Sequence, residues 1–109
     1  MNFELARFNM IEQQIRPWSV LDNAVLSLMA SVKRELFLPE ELRNLALSDT
    51  ELDIGQGEVM LSPKVQARLI AQLQLKATDD VLQIGAGTGF MTCVMAQLAQ
   101  SVLAYEIHP

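Results

Sequence analysis

Cysteine is almost missing from this chain, Cys93 being the only one in 109 residues. A single thiol closes no intramolecular disulfide, and with only one histidine, His108, no cluster stands at metal-ligand spacing. Basic residues are also scarce, 8 Lys and Arg against 13 Asp and Glu for a net charge of -5. They form no patch, which argues against nucleic acid as a partner, since such binding draws its affinity from neutralised phosphates. Apolar runs end after a few residues, far short of the roughly 20 that cross a bilayer. Glu4 and Arg7 interrupt the start of the chain, which therefore lacks the form of a secretory leader. A cytoplasmic protein without membrane contact is the expectation. What is present is a core-forming composition, 50% apolar and 19% charged, that of one compact domain.

Apolar spacing divides the chain into a helical part and an α/β part. Leu5, Phe8, Ile11 and Ile15 recur at helical intervals until Pro17 stops the run. Asp22 is placed to cap a second helix with the stripe Val25, Leu28, Met29 and Val32, ending near Arg34, where basic residues suit the negative end of the dipole. Pro39, Glu40 and Glu41 open a short third helix reaching about Leu47. Residues 48–62 read as a loop with one short strand. Ser62 and Pro63 start a helix whose apolar face is Val65, Leu69, Ile70 and Leu73. Then come a strand at Val81–Ile84, a glycine loop, a helix from Phe90 to Ala99, and a strand holding Val102, Leu103, Tyr105 and Ile107.

The fold class implied is α/β: an N-terminal helical region over residues 1–62, then over 63–109 the first helix-strand-helix-strand portion of a Rossmann-like doubly wound sheet. Two parallel strands make a poor independent sheet. The expectation is thus an incomplete domain, cut after its second strand, that self-associates through the exposed edge beside Val102–Ile107.

The chemistry concentrates in Val81-Leu82-Gln83-Ile84-Gly85-Ala86-Gly87-Thr88-Gly89. Glycines at alternate positions after a strand let the chain turn sharply and let a polar ligand lie against main-chain N–H groups at the positive end of the next helix. A tight turn with no ligand is the bland alternative. The dinucleotide spacing Gly-x-Gly-x-x-Gly fails because position 90 is Phe, which disfavours a nicotinamide-dependent oxidoreductase. Glu106, at the end of the second strand, is placed to accept two hydrogen bonds from a ribose diol, or else is a surface carboxylate. Cys93 and the six methionines fit core packing, His108 a solvent-facing loop, and Trp18 an anchor of the helical region against the rest.

These residues resemble the protein-L-isoaspartate O-methyltransferase family, a branch of the S-adenosylmethionine-dependent methyltransferases. The resemblance runs through Met10-Ile11-Glu12-Gln13-Gln14-Ile15-Arg16-Pro17-Trp18, then Val32-Lys33-Arg34-Glu35-Leu36-Phe37-Leu38-Pro39-Glu40, and the glycine loop. It implies S-adenosylmethionine as cofactor, with Gly85, Gly87 and Gly89 against its methionine part, Glu106 on the ribose hydroxyls and Ile107 packed on adenine. It implies methyl transfer to the free carboxylate of isoaspartyl residues in a protein or peptide, the first step of repair. Gln83 stands where such enzymes carry an acid facing the cofactor's amino group or its water, and can accept a hydrogen bond without charge. Gly57-Glu58-Val59-Met60-Leu61-Ser62-Pro63 stands where the family resembles Gly-Gln-Thr-Ile-Ser-Gln-Pro, so Val59 and Leu61 replace two substrate-orienting hydroxyls. Ser62, one position off, is the candidate catalytic hydroxyl, with an N-cap as its simpler role. The rival reading is a catalytically impaired cofactor-binding or protein-interaction module of the same fold.

Overall fold

The structure is a computed structural model and describes residues 2–106. Asn2 accepts the Leu5 N–H at 3.1 Å and starts helix α1, Phe3–Met10, which continues through a π-turn at Ile11–Ile15 and a 3-10 turn at Arg16–Trp18. The expected stripe on this helix is rotated: Leu5 and Phe8 are exposed, while Arg7, Met10, Ile11 and Ile15 are buried. The cause is an ion pair. Arg7 Nη1 and Nη2 donate to the two carboxylate oxygens of Glu35, both at 2.8 Å, and this fork turns the Arg7 side of α1 inward. Its hydrogen bond to Glu35 raises the Arg7 pKa, and the same bond holds the Glu35 carboxyl below the usual carboxylate range.

Asp22 caps helix α2, Asn23–Ser31, by accepting from Ala24 N at 2.9 Å and Val25 N at 3.3 Å, as its position predicts. The helix ends before Arg34, because Val32 is already extended and Arg34–Phe37 forms a separate 3-10 turn. Arg34 is consequently no surface partner of a helix dipole but a buried side chain. The third helical segment is 3-10 in form, Glu40–Leu45. Where one strand was expected, residues 52–60 make a hairpin of β1, Leu52–Gly55, antiparallel to β2, Glu58–Met60. Gln56 and Gly57 both have positive φ, 56° and 76°, as a tight hairpin turn requires.

Helix α3, Pro63–Leu73, has its first-turn proline, but Ser62 makes no side-chain capping bond. The buried face is Pro63, Gln66, Ala67 and Ile70, leaving Leu69 and Leu73 exposed, a rotation from the predicted stripe that brings Gln66 to Arg34. Strands β3, Asp80–Ile84, and β4, Ser101–Tyr105, pair in parallel from Asp80 opposite Ser101 to Ile84 opposite Tyr105, joined by helix α4, Phe90–Ala96. Val81 and Val102 pack on the core while Leu82, Ile84, Leu103 and Tyr105 are exposed. The core runs from Met10, Ile15, Val25 and Met29 through Ile70 to Phe90 and Val94. Trp18 does reach α3, though by stacking: Lys64 Nζ lies 4.6 Å and the Arg68 guanidinium carbon 5.6 Å from its ring centre. Among the described residues no helix is long and apolar enough to cross a membrane.

Candidate functional site

The glycine loop leaves β3 at the carboxyl end of the sheet, where open α/β sheets place their ligand crevices. Gly85, Gly87 and Gly89 all have positive φ, 83°, 57° and 88°, a region that costs other residues about 1–2 kcal/mol each. The N–H groups of Gly85 and Ala86 donate to the Tyr105 carbonyl at 2.8 and 3.2 Å, and that of Gly89 to the Ala86 carbonyl at 3.0 Å. Of these donors, expected to face a ligand, the first two instead weld the loop to the end of β4 and the third closes the loop on itself. The Gly87 N–H is different, donating to Glu106 Oε2 at 2.5 Å. Loop and strand end therefore meet through the two residues that the sequence singled out.

Two clefts flank this contact and share Ile54, Gly87 and Thr88 as a common wall. The first, about 190 Å³, is lined by Pro39, Glu58 and Glu106 together with the hairpin turn at Gly55 and Gln56. The second, about 120 Å³, lies between Gly85–Thr88 and residues 59–61, with Gln66, Gln83 and Met91 closing it. The hairpin is thus the far wall of both. Ile54 Cδ1 would lie 3.7 Å from a Cβ on Gly87, and the Thr88 hydroxyl approaches Met60 Sδ at 3.9 Å.

Val59 is exposed and Leu61 half-buried, so the cleft wall presents aliphatic groups at both positions. Ser62 is buried, does not cap α3 through its side chain, and is not among the residues lining either cleft. Gln83 lines the second cleft, but its Oε1 accepts from the Thr92 hydroxyl at 2.5 Å, which turns its NH2 rather than its oxygen toward other groups. One of the two lone pairs of that oxygen is thus engaged within the fold. Ile107 and His108 lie outside the described residues.

The residues that hold this site from behind belong to no motif. Arg34 is 1% exposed and donates to the carbonyls of Ala46 at 2.6 Å and Leu61 at 2.8 Å and to the side-chain oxygen of Gln66, with its guanidinium 5.4 Å from the Phe90 ring centre. Burial lowers its pKa to about 10, still well above neutrality, so a cation ties residue 61 to α3 and to the helix after the glycine loop. A polar residue at position 66, three before and four before the apolar Leu69 and Ile70, was the available signal.

The family model of protein-L-isoaspartate(D-aspartate) O-methyltransferase matches residues 6–106. Protein-L-isoaspartate O-methyltransferase 1 of Rhodopseudomonas palustris (strain HaA2) is 43% identical over 96% of this chain and 43% of its own length. The enzyme of that name numbered 2 in Anaeromyxobacter sp. (strain Fw109-5) is 38% identical over 97% of this chain and 44% of its own. The chain therefore spans about half the length of the curated relatives it matches. A crystal structure of a putative protein-L-isoaspartate O-methyltransferase from Plasmodium falciparum, in complex with S-adenosyl-L-homocysteine, superposes with a TM-score of 0.71 at 24% identity, covering 97% of this chain and 49% of that one, a likeness of fold. With its glycine loop, strand-end acid and hairpin wall arranged as described, the chain belongs to the protein-L-isoaspartate(D-aspartate) O-methyltransferase family.

Proposed function

We propose that this chain carries the cofactor side and part of the acceptor side of an S-adenosylmethionine-dependent methyltransferase that esterifies the free carboxylate of isoaspartyl residues. The observation that carries the reading is the meeting of Glu106 with the Gly87 N–H beside the first cleft. A carboxylate accepts hydrogen bonds along about four lone-pair directions, which suits it to the paired hydroxyls of a ribose. Gly85, Gly87 and Gly89 have no side chains to exclude the methionine part, and no Cβ on Gly85 or Gly89 would meet an atom within 4 Å. Gln83 borders the same space. Ile107, next along the chain, is assigned to the adenine by resemblance alone.

The bound cofactor would supply a methyl group on a sulfonium sulfur. That methyl group would pass to a carboxylate already ionised at neutral pH. No proton moves, so the chain needs no general base; it must align the two groups and exclude water. Ile54, Val59, Met60 and Leu61 suit the second task. Glu58 and Glu106 both line the first cleft. Ser62, buried and away from both clefts, is given a packing role in this reading. The division of labour falls near residue 62, with 1–62 serving the acceptor and 63–109 the cofactor. The exposed Leu82, Ile84, Leu103 and Tyr105 suit burial against further polypeptide, including a second copy.

The test is methyl transfer from labelled S-adenosylmethionine to an isoaspartyl peptide, with its ordinary aspartyl counterpart as control. Base-labile ester formed on the isoaspartyl peptide alone supports the proposal. Tight cofactor binding with no transfer to either peptide would select the impaired binding module instead.

A further inference from the structure

Gln66 is a polar residue on the inward face of α3 and only 5% exposed. One end of its amide is explained by Arg34, which donates to its Oε1. A guanidinium has donors only, so the amide must turn its oxygen to Arg34 and its NH2 away. That Nε2 has no hydrogen-bond partner among the described residues, and Gln66 lines the second cleft. Gln83 on another wall of the same cleft has its Oε1 taken by Thr92, so its NH2 is likewise the end left for the cleft. The side chains at 54, 59, 60, 61 and 91 around them are apolar. Gln66 Nε2 is not an enclosed orphan among the described residues; a donor on a cleft wall that no neighbouring side chain matches is available to a ligand that brings acceptors.

We infer that Gln66, held in one orientation by Arg34, donates its amide N–H to a carboxylate bound in the second cleft. The inference rests on the function proposed above and deepens it by assigning a positioning residue. It also accounts for a methyl-acceptor wall without hydroxyls at 59 and 61, since the donor comes from α3 instead of from the hairpin. A neutral amide suits a reacting carboxylate, because it fixes one oxygen without the full charge of an ion pair, while the buried cation behind polarises it. The carboxylate has two possible sources there: the isoaspartyl acceptor, or the methionine end of the cofactor.

The discriminating variant is Gln66→Glu. It is nearly isosteric and gives Arg34 an ionised partner, so a purely structural role for Gln66 predicts an unchanged or raised Tm and normal binding. The inference predicts that folded Gln66→Glu loses about ten- to a hundred-fold in affinity for one carboxylate ligand, the range for a hydrogen bond to a charged group. Titrate S-adenosylhomocysteine into the full chain and then, with it bound, an isoaspartyl peptide. Loss confined to the peptide assigns the acceptor, and loss at the first step assigns the methionine carboxylate. Should the Tm of that variant fall, Gln66→Met removes the donor without adding charge and must show the same loss. A readout free of catalysis is the side-chain amide resonance of Gln66, which should move on adding the ligand so assigned. Unchanged affinities for both ligands in a folded variant overturn the inference and leave the proposed function standing. Failure of the unaltered protein to bind S-adenosylhomocysteine overturns that function, and this inference with it.

Discussion

Two buried arginines, 27 positions apart, are treated in opposite ways. Arg7 meets a carboxylate: Glu35 takes both of its Nη groups at 2.8 Å, and the pair closes α1 onto the 3-10 turn at Arg34–Phe37. Arg34 meets only neutral oxygens, those of Ala46, Leu61 and Gln66. The first region neutralises its charge internally, although Arg7 Nε stays buried without a partner among the described residues, and it holds the fold. The second keeps its charge uncompensated behind the second cleft and turns the Gln66 amide donor toward it. Stability and ligand binding are thereby assigned to different parts of a small chain, and substitutions should separate them.

The largest effect is expected from breaking the closed pair. Glu35→Gln leaves buried Arg7 with only the exposed Glu4 carboxylate, 3.2 Å from its Nη2, and should cost up to ~3–5 kcal/mol of unfolding free energy, read by denaturant titration. The pH dependence follows in sign. Glu35 has its pKa lowered by the bond from Arg7, so its contribution is complete above the unfolded carboxyl value of about 4.3. It is lost as pH falls through the lower folded value. The unaltered chain should therefore lose stability on acidification below about pH 4.3, and Glu35→Gln should flatten that limb of the curve.

On the ligand side Glu106→Ala should weaken S-adenosylhomocysteine binding by ~1.5–3 kcal/mol, the worth of hydrogen bonds to a charged group, with little change in Tm. Gly87→Ala mixes the two effects. Its φ of 57° should cost ~1–2 kcal/mol in stability, and the added Cβ, 3.7 Å from Ile54 Cδ1, narrows the wall between the clefts. Smallest is Asp22→Ala, which removes a helix cap far from the loop. It should cost ~1 kcal/mol in thermal unfolding and leave ligand affinity unchanged. A change in affinity there would mean that the two regions are not separable.

The same contrast explains what was legible in the sequence. Backbone-dictated features were: the Asp22 cap, the strand-glycine-helix-strand order, and the approach of Glu106 to the loop all follow from local residue chemistry. Element faces were not. The stripes on α1 and α3 came out rotated because buried polar residues, Arg7 and Gln66, took inward positions that apolar periodicity assigns to Leu5, Phe8, Leu69 and Leu73. Their partners, Glu35 and Arg34, lie 28 and 32 positions away, beyond any local pattern. The hairpin at 52–60 was half seen, its turn residues Gln56 and Gly57 being weaker signals than Asn-Gly. The loop N–H groups were expected to face a ligand, and three of them bond to carbonyls of the loop and β4 because the loop closes on the strand next to it.

The most direct test of the account is calorimetric titration of S-adenosylhomocysteine into the full chain and into Glu106→Ala. Binding by the first, and about ten- to a hundred-fold weaker binding by the second at equal Tm, is expected. No binding by the unaltered, folded protein, or equal binding by both, would contradict it and reduce the glycine loop to a structural turn.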